Sequence, residues 1–374
     1  MVTGYGAVTA HGSGIEALWA ALAEGRSPAR DWSPADDADT FRAGPIADDY
    51  RPHPEIPRNL THFLDRGSMI GLDAALQAIE AAGLSAGIAD SRRFAVVDGL
   101  AFRAPGQATL FVPYGQLVAR TLGVRGSVLG LAGAEASGLA AIAEAAAIVT
   151  RGDADVAVAG AAQALQAPVL QHLAEGGLIA PEIAHPLDAA PDGCVPAEGA
   201  AYVVIEGAEH ARARGARAVA RIVGATTTFD PTAEPLDPSD PAEAGRAIQA
   251  VLGGAGYLQN QVDHVASCAD GRAARDASEA VGLTRTFGRH VYYASVTAPA
   301  GALGQTLAAS GPLGLVYALE AIRRQQVAPA AGFRESPERS DLSVVRELRD
   351  ERLDCVLVTG LGLGGTNVSV LLQR

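Results

Sequence analysis

Three side chains of this sequence could carry nucleophilic or proton-transfer chemistry. Cys268 is a single thiol in a predicted loop, His264 lies four residues earlier in a predicted strand, and Glu135 lies at a predicted turn before a long apolar segment. A thiol becomes a nucleophile when a neighbouring base or positive charge activates it, and Cys268 has no obvious histidine at its own turn. We therefore expect an inert thiol at Cys268, with a replacement nucleophile as the alternative, and a core or sheet-edge histidine at His264.

The remaining polar patterns predict neither a metal site nor a cofactor. The eight histidines form no metal-ligand pattern, and no pair of the three cysteines, Cys194, Cys268 and Cys355, has metal-ligand spacing. The glycine-rich segment 360–365 lacks the lysine of a P-loop and a following helix, which argues against nucleotide binding. We expect no cofactor and no metal.

Charge and composition exclude further classes of partner. A formal net charge of −13, from 29 basic and 42 acidic groups, argues against nucleic acid and against an anionic membrane surface. The sparse, odd set of cysteines suits a reducing compartment. The start of the chain indicates a strand rather than a signal peptide, and the apolar segments are shorter than a membrane span. We expect a cytoplasmic protein.

The apolar pattern shows which elements would position Glu135. Residues 128–131 predict a short buried strand that ends at the turn. Residues 137–150 are apolar nearly all round, which is typical of a helix buried on every side. Glu135 is therefore predicted to lie where a strand turns sharply into a buried helix.

The order of elements in the first half returns in the second. The recurring elements are predicted strands and a helix at 262–266, 312–323 and 355–358. Two βαβ-type units would place their sheets back to back. We predict an α/β protein with an N-terminal half at 1–210 and a C-terminal half at 211–374, together one compact unit.

Six short motifs follow one another along the chain. They are VTGYGAV at 2–8, LW at 18–19, GAEASG at 133–138, RGDAD at 151–155, PLDAA…DG…EGA at 186–200 and GLGGTN at 362–367. Their joint order resembles the β-ketoacyl synthase branch of the thiolase superfamily over essentially the whole chain. The resemblance implies the thiolase fold, a five-layered αβαβα sandwich made of duplicated halves.

The resemblance also implies that the catalytic residues of the family are missing here. The nucleophilic cysteine of the family falls on Glu135, and the string CADGR at 268–272 aligns with HGTGT, so Cys268 replaces the first histidine. Gln305 replaces the second histidine, and Ala300 replaces the lysine. A carboxylate cannot form the acyl thioester, and these replacements lack the proton-transfer and donor pattern of two imidazoles.

Several independent losses indicate a non-catalytic relative, similar to the chain-length factors (ketosynthase β subunits) of type II polyketide synthases. Such a chain would form a heterodimer with a catalytic ketosynthase, and acyl carrier protein would act mainly through that partner. One alternative is a malonyl-carrier-protein decarboxylase or initiation factor that uses Glu135. Another is an acyl-binding homodimeric relic.

Two finer interpretations concern individual residues. Glu135 is expected to be a structural plug that accepts hydrogen bonds from backbone donors near the buried helix, with a role in decarboxylation as the alternative. The segment between Gly99 and the strand at Val128 is shorter than is usual in the family, which favours a polyene-type product. The resemblance makes four residues of this region candidates for a shared tunnel or interface, with a plain core or interface role as the alternative: Phe111, Tyr114, Gln116 and Leu117.

Overall fold

The computed structural model describes residues 1–35, 38–56, 64–84, 91–100, 114–234, 238–338 and 340–374. The strands are β1 Val2–Thr9, β2 Gly12–Ser13, β3 Arg30–Trp32, β4 Phe41–Ala43, β5 Phe94–Leu100, β6 Val128–Ala132, β7 Val156–Gln163, β8 Gly199–Glu206, β9 Arg221–Phe229, β10 His264–Ala266, β11 Ser295–Thr297, β12 Gln326–Val327, β13 Ser343–Val344, β14 Arg349–Asp350, β15 Cys355–Leu361 and β16 Thr366–Gln373. The α-helices are α1 Ile15–Ala23, α2 Arg66–Ala81, α3 Tyr114–Leu122, α4 Ser137–Arg151, α5 Ala167–Glu175, α6 Ala208–Ala213, α7 Pro241–Ala255, α8 Ala273–Phe287, α9 Ala300–Leu303 and α10 Ser310–Arg324.

Two six-stranded sheets organise the chain. The first has the strand order β2-β1-β8-β7-β5-β6, and the second has the order β13-β11-β10-β15-β16-β9. In the first sheet β5 runs parallel to β6 and β7, and in the second β10 runs parallel to β11 and β15. Strands such as β7 are buried along their whole length, because helices cover both of their faces.

Helices fill the space between the sheets and cover both outer faces. The central core joins α4 and α10 to the facing sides of both sheets. A second cluster packs α2 and α3 on the outer side of the first sheet, and a third packs α7 and α8 on the outer side of the second. The layers therefore follow the order αβαβα, and the predicted five-layered fold is confirmed.

A short 3₁₀ turn followed by a buried helix occurs once in each half. Residues Ala134–Ala136 precede α4, and Leu307–Ala309 precede α10, with 15 residues in each helix. The first residue of each turn has a left-handed backbone, with φ of 49° at Ala134 and 47° at Leu307. This local match is what a duplicated unit would leave, while the division of the chain at 210/211 stays a prediction.

The strand before the first turn differs from its prediction in one respect. β6 forms as expected, but it lies at the edge of its sheet and its side chains are largely exposed, with Val128 at 36% and Leu129 at 39%. The prediction of a buried strand was wrong because periodicity in a short apolar run cannot distinguish a central strand from an uncovered edge. Within the described ranges, no helix is long and apolar enough to cross a membrane.

Candidate functional site

Glu135 lies in the tight turn between β6 and α4. Ala134, just before it, takes the left-handed conformation that ordinarily favours glycine. The turn is held by close backbone packing, since a Cβ on Gly99 would lie 2.4 Å from the backbone of Gly138. A Cβ on Gly362 would likewise lie 2.6 Å from the carbonyl oxygen of Gly133. These glycines let the chain segments approach closely enough to enclose the side chain of Glu135, which is 1% exposed.

Three donors converge on the carboxylate of Glu135. The Arg272 guanidinium donates to Oε1 over 2.8 Å, and the backbone N–H of Leu363 donates to Oε2 over 2.9 Å. Nη1 of Arg275 lies 3.4 Å from the same Oε2. The carboxylate is therefore held by two arginines from α8 and the loop before it, and by the loop between β15 and β16.

Asp270 completes a buried ionic group, here called the quartet, with Glu135, Arg272 and Arg275. Arg272 approaches Asp270 with Nη2 at 2.7 Å from Oδ2 and Nε at 3.0 Å from Oδ1, and Nε of Arg275 lies 3.4 Å from Oδ2. The side-chain amide of Gln305 also donates to Oδ2. All four members of the quartet are at most 5% exposed.

The quartet contains two carboxylates and two guanidinium groups, so its formal charge is zero. Burial opposes ionisation of Glu135, but Arg272 and Arg275 outweigh it and hold the pKa of that carboxyl below its usual range. The same balance lowers the pKa of Asp270 to about 2. A fully ionised carboxylate whose two oxygens are both occupied is a weak base and a weak nucleophile. The predicted structural plug is thus consistent with the geometry, although its main partners are arginines rather than backbone groups.

A third buried carboxylate, outside the quartet, shapes the loop that carries Asp270. Asp276 accepts hydrogen bonds from the backbone N–H groups of Leu187 at 2.8 Å, Asp270 at 2.9 Å and Gly271 at 3.1 Å. Burial and the neighbouring charge of Asp270 raise the pKa of Asp276 to about 7. Asp276 therefore fixes the loop that directs Asp270 and Arg272 toward the turn around Glu135, here called the elbow.

Cys268 and Ala300 border one small cavity, of about 20 Å³, beside the quartet. This volume holds roughly one water molecule. The Cys268 thiol lies 3.4 Å from a carboxylate oxygen of Glu279, and burial together with that negative charge raises the pKa of the thiol far above its usual range. These contacts favour an inert thiol at Cys268 over a replacement nucleophile, and its reactivity stays a prediction. His264, predicted to be a core or edge residue, is fully buried in β10 between Ser295 and Tyr317.

The structure brings together the positions at which the catalytic residues were predicted to be lost. Gln305 contacts Asp270, and Asp270 shares Arg272 with Glu135, so two residues link Gln305 to Glu135. The backbone carbonyl oxygen of Cys268 accepts a hydrogen bond from Nε of Arg275, at 3.3 Å.

Three of the four tunnel candidates lie on α3. Phe111 falls outside the described residues. Tyr114 is buried against α2, where a Cβ on Gly67 would lie 2.2 Å from the tyrosine oxygen. Gln116 is exposed and Leu117 half-buried on the same helix, α3. Their role at a tunnel or interface stays a prediction.

The sequence interpretation missed Arg272, Arg275 and Asp270 as site residues. A signal was available, because the string CADGR at 268–272 puts an acidic and a basic residue where the family motif HGTGT has two threonines. Among the described residues, no group of three or more histidines, cysteines and carboxylates could hold a metal ion.

Comparison with solved structures supports the fold. The ishigamide ketosynthase/chain length factor superposes with a TM-score of 0.91 at 23% identity, over 100% of this chain and 98% of the other. A type II polyketide synthase ketosynthase, solved with its acyl-carrier protein and bound to the hexaketide, superposes with a TM-score of 0.85 at 22% identity, over 100% and 98%. At these identities the likeness establishes the architecture.

Sequence comparison establishes the family. Nodulation protein E of Rhizobium leguminosarum bv. trifolii is 29% identical over 402 residues, covering 100% of this chain and 98% of that protein. The putative polyketide beta-ketoacyl synthase 1 of Streptomyces cyaneus is 30% identical over 409 residues, covering 99% and 97%. The model of the β-ketoacyl synthase N-terminal domain matches residues 1–211, and that of the C-terminal domain matches residues 219–334. The chain belongs to the β-ketoacyl synthase family.

Proposed function

We propose that this chain is a non-catalytic ketosynthase-like subunit that pairs with an active β-ketoacyl synthase and helps to set the chain length of a polyene-type polyketide. The observation that carries the proposal is the quartet. At the elbow, where acyl transfer needs a nucleophile, Glu135 is locked by Arg272, Arg275 and the N–H of Leu363. A retained scaffold with an occupied elbow supports a role in shaping a partner's site rather than in chemistry.

The same geometry argues against an independent decarboxylase that uses Glu135. A general base needs a free lone pair directed at the substrate and a pKa near the working pH. The carboxylate of Glu135 has both oxygens engaged and a lowered pKa. The cavities that border Cys268 and Gln305 measure about 20 and 10 Å³, which leaves space for single waters rather than a malonyl group.

The edge strand β6 is the face on which we propose that the catalytic partner docks. A flat edge with exposed Val128 and Leu129 presents unpaired backbone groups and apolar side chains, which another strand can pair with and cover. Beside it, β6, α4 and β9 enclose an open groove of about 560 Å³ lined largely by alanine and threonine side chains, with the 59% exposed Phe229 on its rim. A partner strand on β6 would also cover this groove.

A heterodimer is favoured over a homodimeric relic because two copies of this chain would supply two occupied elbows and no acyl thioester. The active ketosynthase would supply the thiol, and acyl carrier protein would deliver substrate mainly to that subunit. A type II ketosynthase of the same fold has been solved with its acyl-carrier protein, which supports the choice of partner class.

Chain length would be set near α3. This helix packs against β5 and β6, so it lies next to the proposed docking edge. The side chain of Tyr114 packs against α2, whereas that of Gln116 is exposed and that of Leu117 is half-buried. We assign the gating role to Gln116 and Leu117 rather than to Tyr114.

The proposal is tested by co-expression with a ketosynthase of intact catalytic residues from the same gene cluster. Leu129→Arg should abolish co-purification and product formation, because it places a charge on the docking edge. Leu258→Arg is the matched control, since Leu258 is also an exposed leucine (63%) but lies beyond α7 on the second half.

Leu117→Ala should change product length, measured by mass spectrometry, without loss of co-purification. Malonyl turnover by this chain alone, lost in Glu135→Ala, would overturn the non-catalytic assignment.

A further inference from the structure

The donors around Glu135 have the arrangement of a binding site for a free carboxylate. One guanidinium faces Oε1, while a backbone N–H and a second guanidinium face Oε2, so each oxygen has its own charged or dipolar partner. Carboxylate ligands are recognised in proteins by this combination of arginine and backbone N–H groups. Here the ligand is a side chain of the same chain.

The charge balance of the quartet requires an anion at the position of the Glu135 carboxylate. Without the carboxylate of Glu135, two guanidinium groups would face the single carboxylate of Asp270, which leaves a net charge of +1 in the interior. Arg272 and Arg275 are 5% and 3% exposed, so water cannot replace the missing partner well. The N–H of Leu363 would lose its acceptor at the same time.

We infer that Arg272, Arg275 and the N–H of Leu363 form a carboxylate-binding pocket that the chain fills with its own residue 135, and that the pocket takes a free small carboxylate when this side chain is removed. The occupant of the native pocket is therefore internal, and it keeps acyl carboxylates such as a malonyl group out. The inference concerns this chain alone and stands whether or not a ketosynthase partner exists.

Glu320 is a buried carboxylate whose arginine partners lack this enclosure. Glu320 is equally buried and pairs with Arg323 and Arg324, but the side chains of those arginines are 45% and 22% exposed. Loss of the Glu320 carboxylate would leave cations that water can solvate. Glu320 thus provides a matched control in which an arginine-paired glutamate is lost without creating a closed anion pocket.

The test is carboxylate rescue of Glu135→Ala. This substitution removes four heavy atoms, one methylene carbon and the carboxylate, which is the heavy-atom content of acetate. The thermal unfolding midpoint of the purified variant, at fixed ionic strength, should rise with the logarithm of acetate concentration, as for a ligand that binds only the folded state. Acetamide, the neutral isostere, should bind at least about tenfold more weakly because it cannot accept at both oxygen positions or neutralise the charge.

Two controls separate the pocket from general salt effects. Glu135→Gln keeps the pocket filled and Glu320→Ala opens no closed pocket, so neither should gain stability from acetate beyond that of the wild-type protein. Adding Arg272→Met to Glu135→Ala should abolish the acetate effect.

If Glu135→Ala does not fold in plain buffer, refolding from urea in acetate against acetamide gives the same readout as folded yield. The inference is overturned if acetate and acetamide act alike, or if neither restores the variant. Either result would leave the pairing with a ketosynthase untouched, since co-purification tests that separately.

Discussion

Glu135→Gln isolates the charge of the elbow residue from its shape. Glutamine fills the same volume, but its amide group offers one acceptor and one donor where the site presents three donors, from Arg272, Arg275 and Leu363. One of these donors must then face an N–H₂ group. The variant also leaves the quartet with a net charge of +1, because Asp270 alone opposes two arginines.

The size of the effect follows from these contacts. Removing one partner of a buried ion pair costs about 3–5 kcal/mol, because a buried charge is left uncompensated. Arg272 keeps three close contacts to Asp270, so we expect a loss near the lower limit, about 3 kcal/mol. The folded-state pKa of Glu135 is lowered, so its contribution to the free energy of unfolding is complete at neutral pH. The contribution declines as the pH falls below about 4, where the unfolded carboxyl protonates.

Urea unfolding of the wild-type protein, Glu135→Gln, Arg275→Met and the double variant measures this contribution. Each single variant breaks the charge balance of the quartet, while the double variant restores zero net charge with the pair of Asp270 and Arg272. The two losses should therefore not add, and the double variant should be more stable than their sum predicts by about 1.5 kcal/mol or more. The protein has to unfold in one cooperative transition for this comparison.

Three results would refute the reasoning. A loss below about 1 kcal/mol for Glu135→Gln would mean that the carboxylate is not an ionised member of a closed network. Additive losses of stability in this double-mutant cycle would mean that Glu135 and Arg275 do not interact electrostatically. A destabilisation by Glu135→Gln that persists unchanged at pH 3 would point to packing rather than charge.

Three further predictions concern the surroundings of the quartet. The Cys268 thiol should react with a thiol reagent at mildly alkaline pH at less than about a tenth of the rate in the urea-unfolded chain, since burial and Glu279 raise its pKa; equal rates would show that it is accessible and activated. The destabilisation caused by Asp276→Asn should decrease as the pH rises from about 4 to about 7. Ionisation of the buried acid, whose folded-state pKa lies near 7, weakens the wild-type protein over that window, and unfolding curves at several pH values would reveal a flat difference if this is wrong. Ala134→Gly should be neutral or stabilise the protein by up to about 1 kcal/mol through relief of the left-handed backbone, whereas Leu307→Gly should lose stability because that side chain is buried; equal thermal shifts would contradict this contrast.

The fold could be predicted from the order of motifs because each one is local. The predicted buried helix after the elbow is α4, and its counterpart in the second half is α10, with the observed ends within two residues of the predicted ones. The exposure of β6 could not be predicted, because an edge and a central strand share the same apolar letters. Sheet order is a tertiary property, and it decides whether the face of a short strand is covered.

Helix α8 shows how a site can hide from pattern analysis. Its buried face carries Arg275, Asp276 and Glu279 beside apolar residues such as Leu283. Apolar periodicity predicts a helix only when its buried face is apolar. Here charged residues interrupt that face, so the pattern is lost. The charged side chains are stable in the interior because they contact one another and the backbone of the adjacent loop. These contacts join distant parts of the chain, so only the folded structure shows them.

For Glu135 itself, sequence reasoning established that a buried carboxylate must find donors. The sequence predicted that backbone N–H groups would donate to Glu135, but it did not identify Leu363 as the donor. It could not choose the cations, since all 29 basic residues are arginines and 137 positions separate Glu135 from Arg272. Only the packing of the loop after β10 against the elbow selects Arg272 and Arg275.

The quartet couples the residue at the elbow to the loop that carries Asp270 and Arg272. Without Arg272, Glu135 and Asp270 would share Arg275 alone, which leaves a surplus negative charge. Without Glu135, two arginines would face Asp270 and leave a surplus positive charge, so either change alone is costly. Gln305 adds a neutral donor to Oδ2 of Asp270, the oxygen that Arg272 and Arg275 also approach. The four residues of the quartet therefore depend on one another for their charge balance. A cysteine introduced alone at residue 135 would leave two buried arginines facing the single carboxylate of Asp270, so the surplus positive charge would remain.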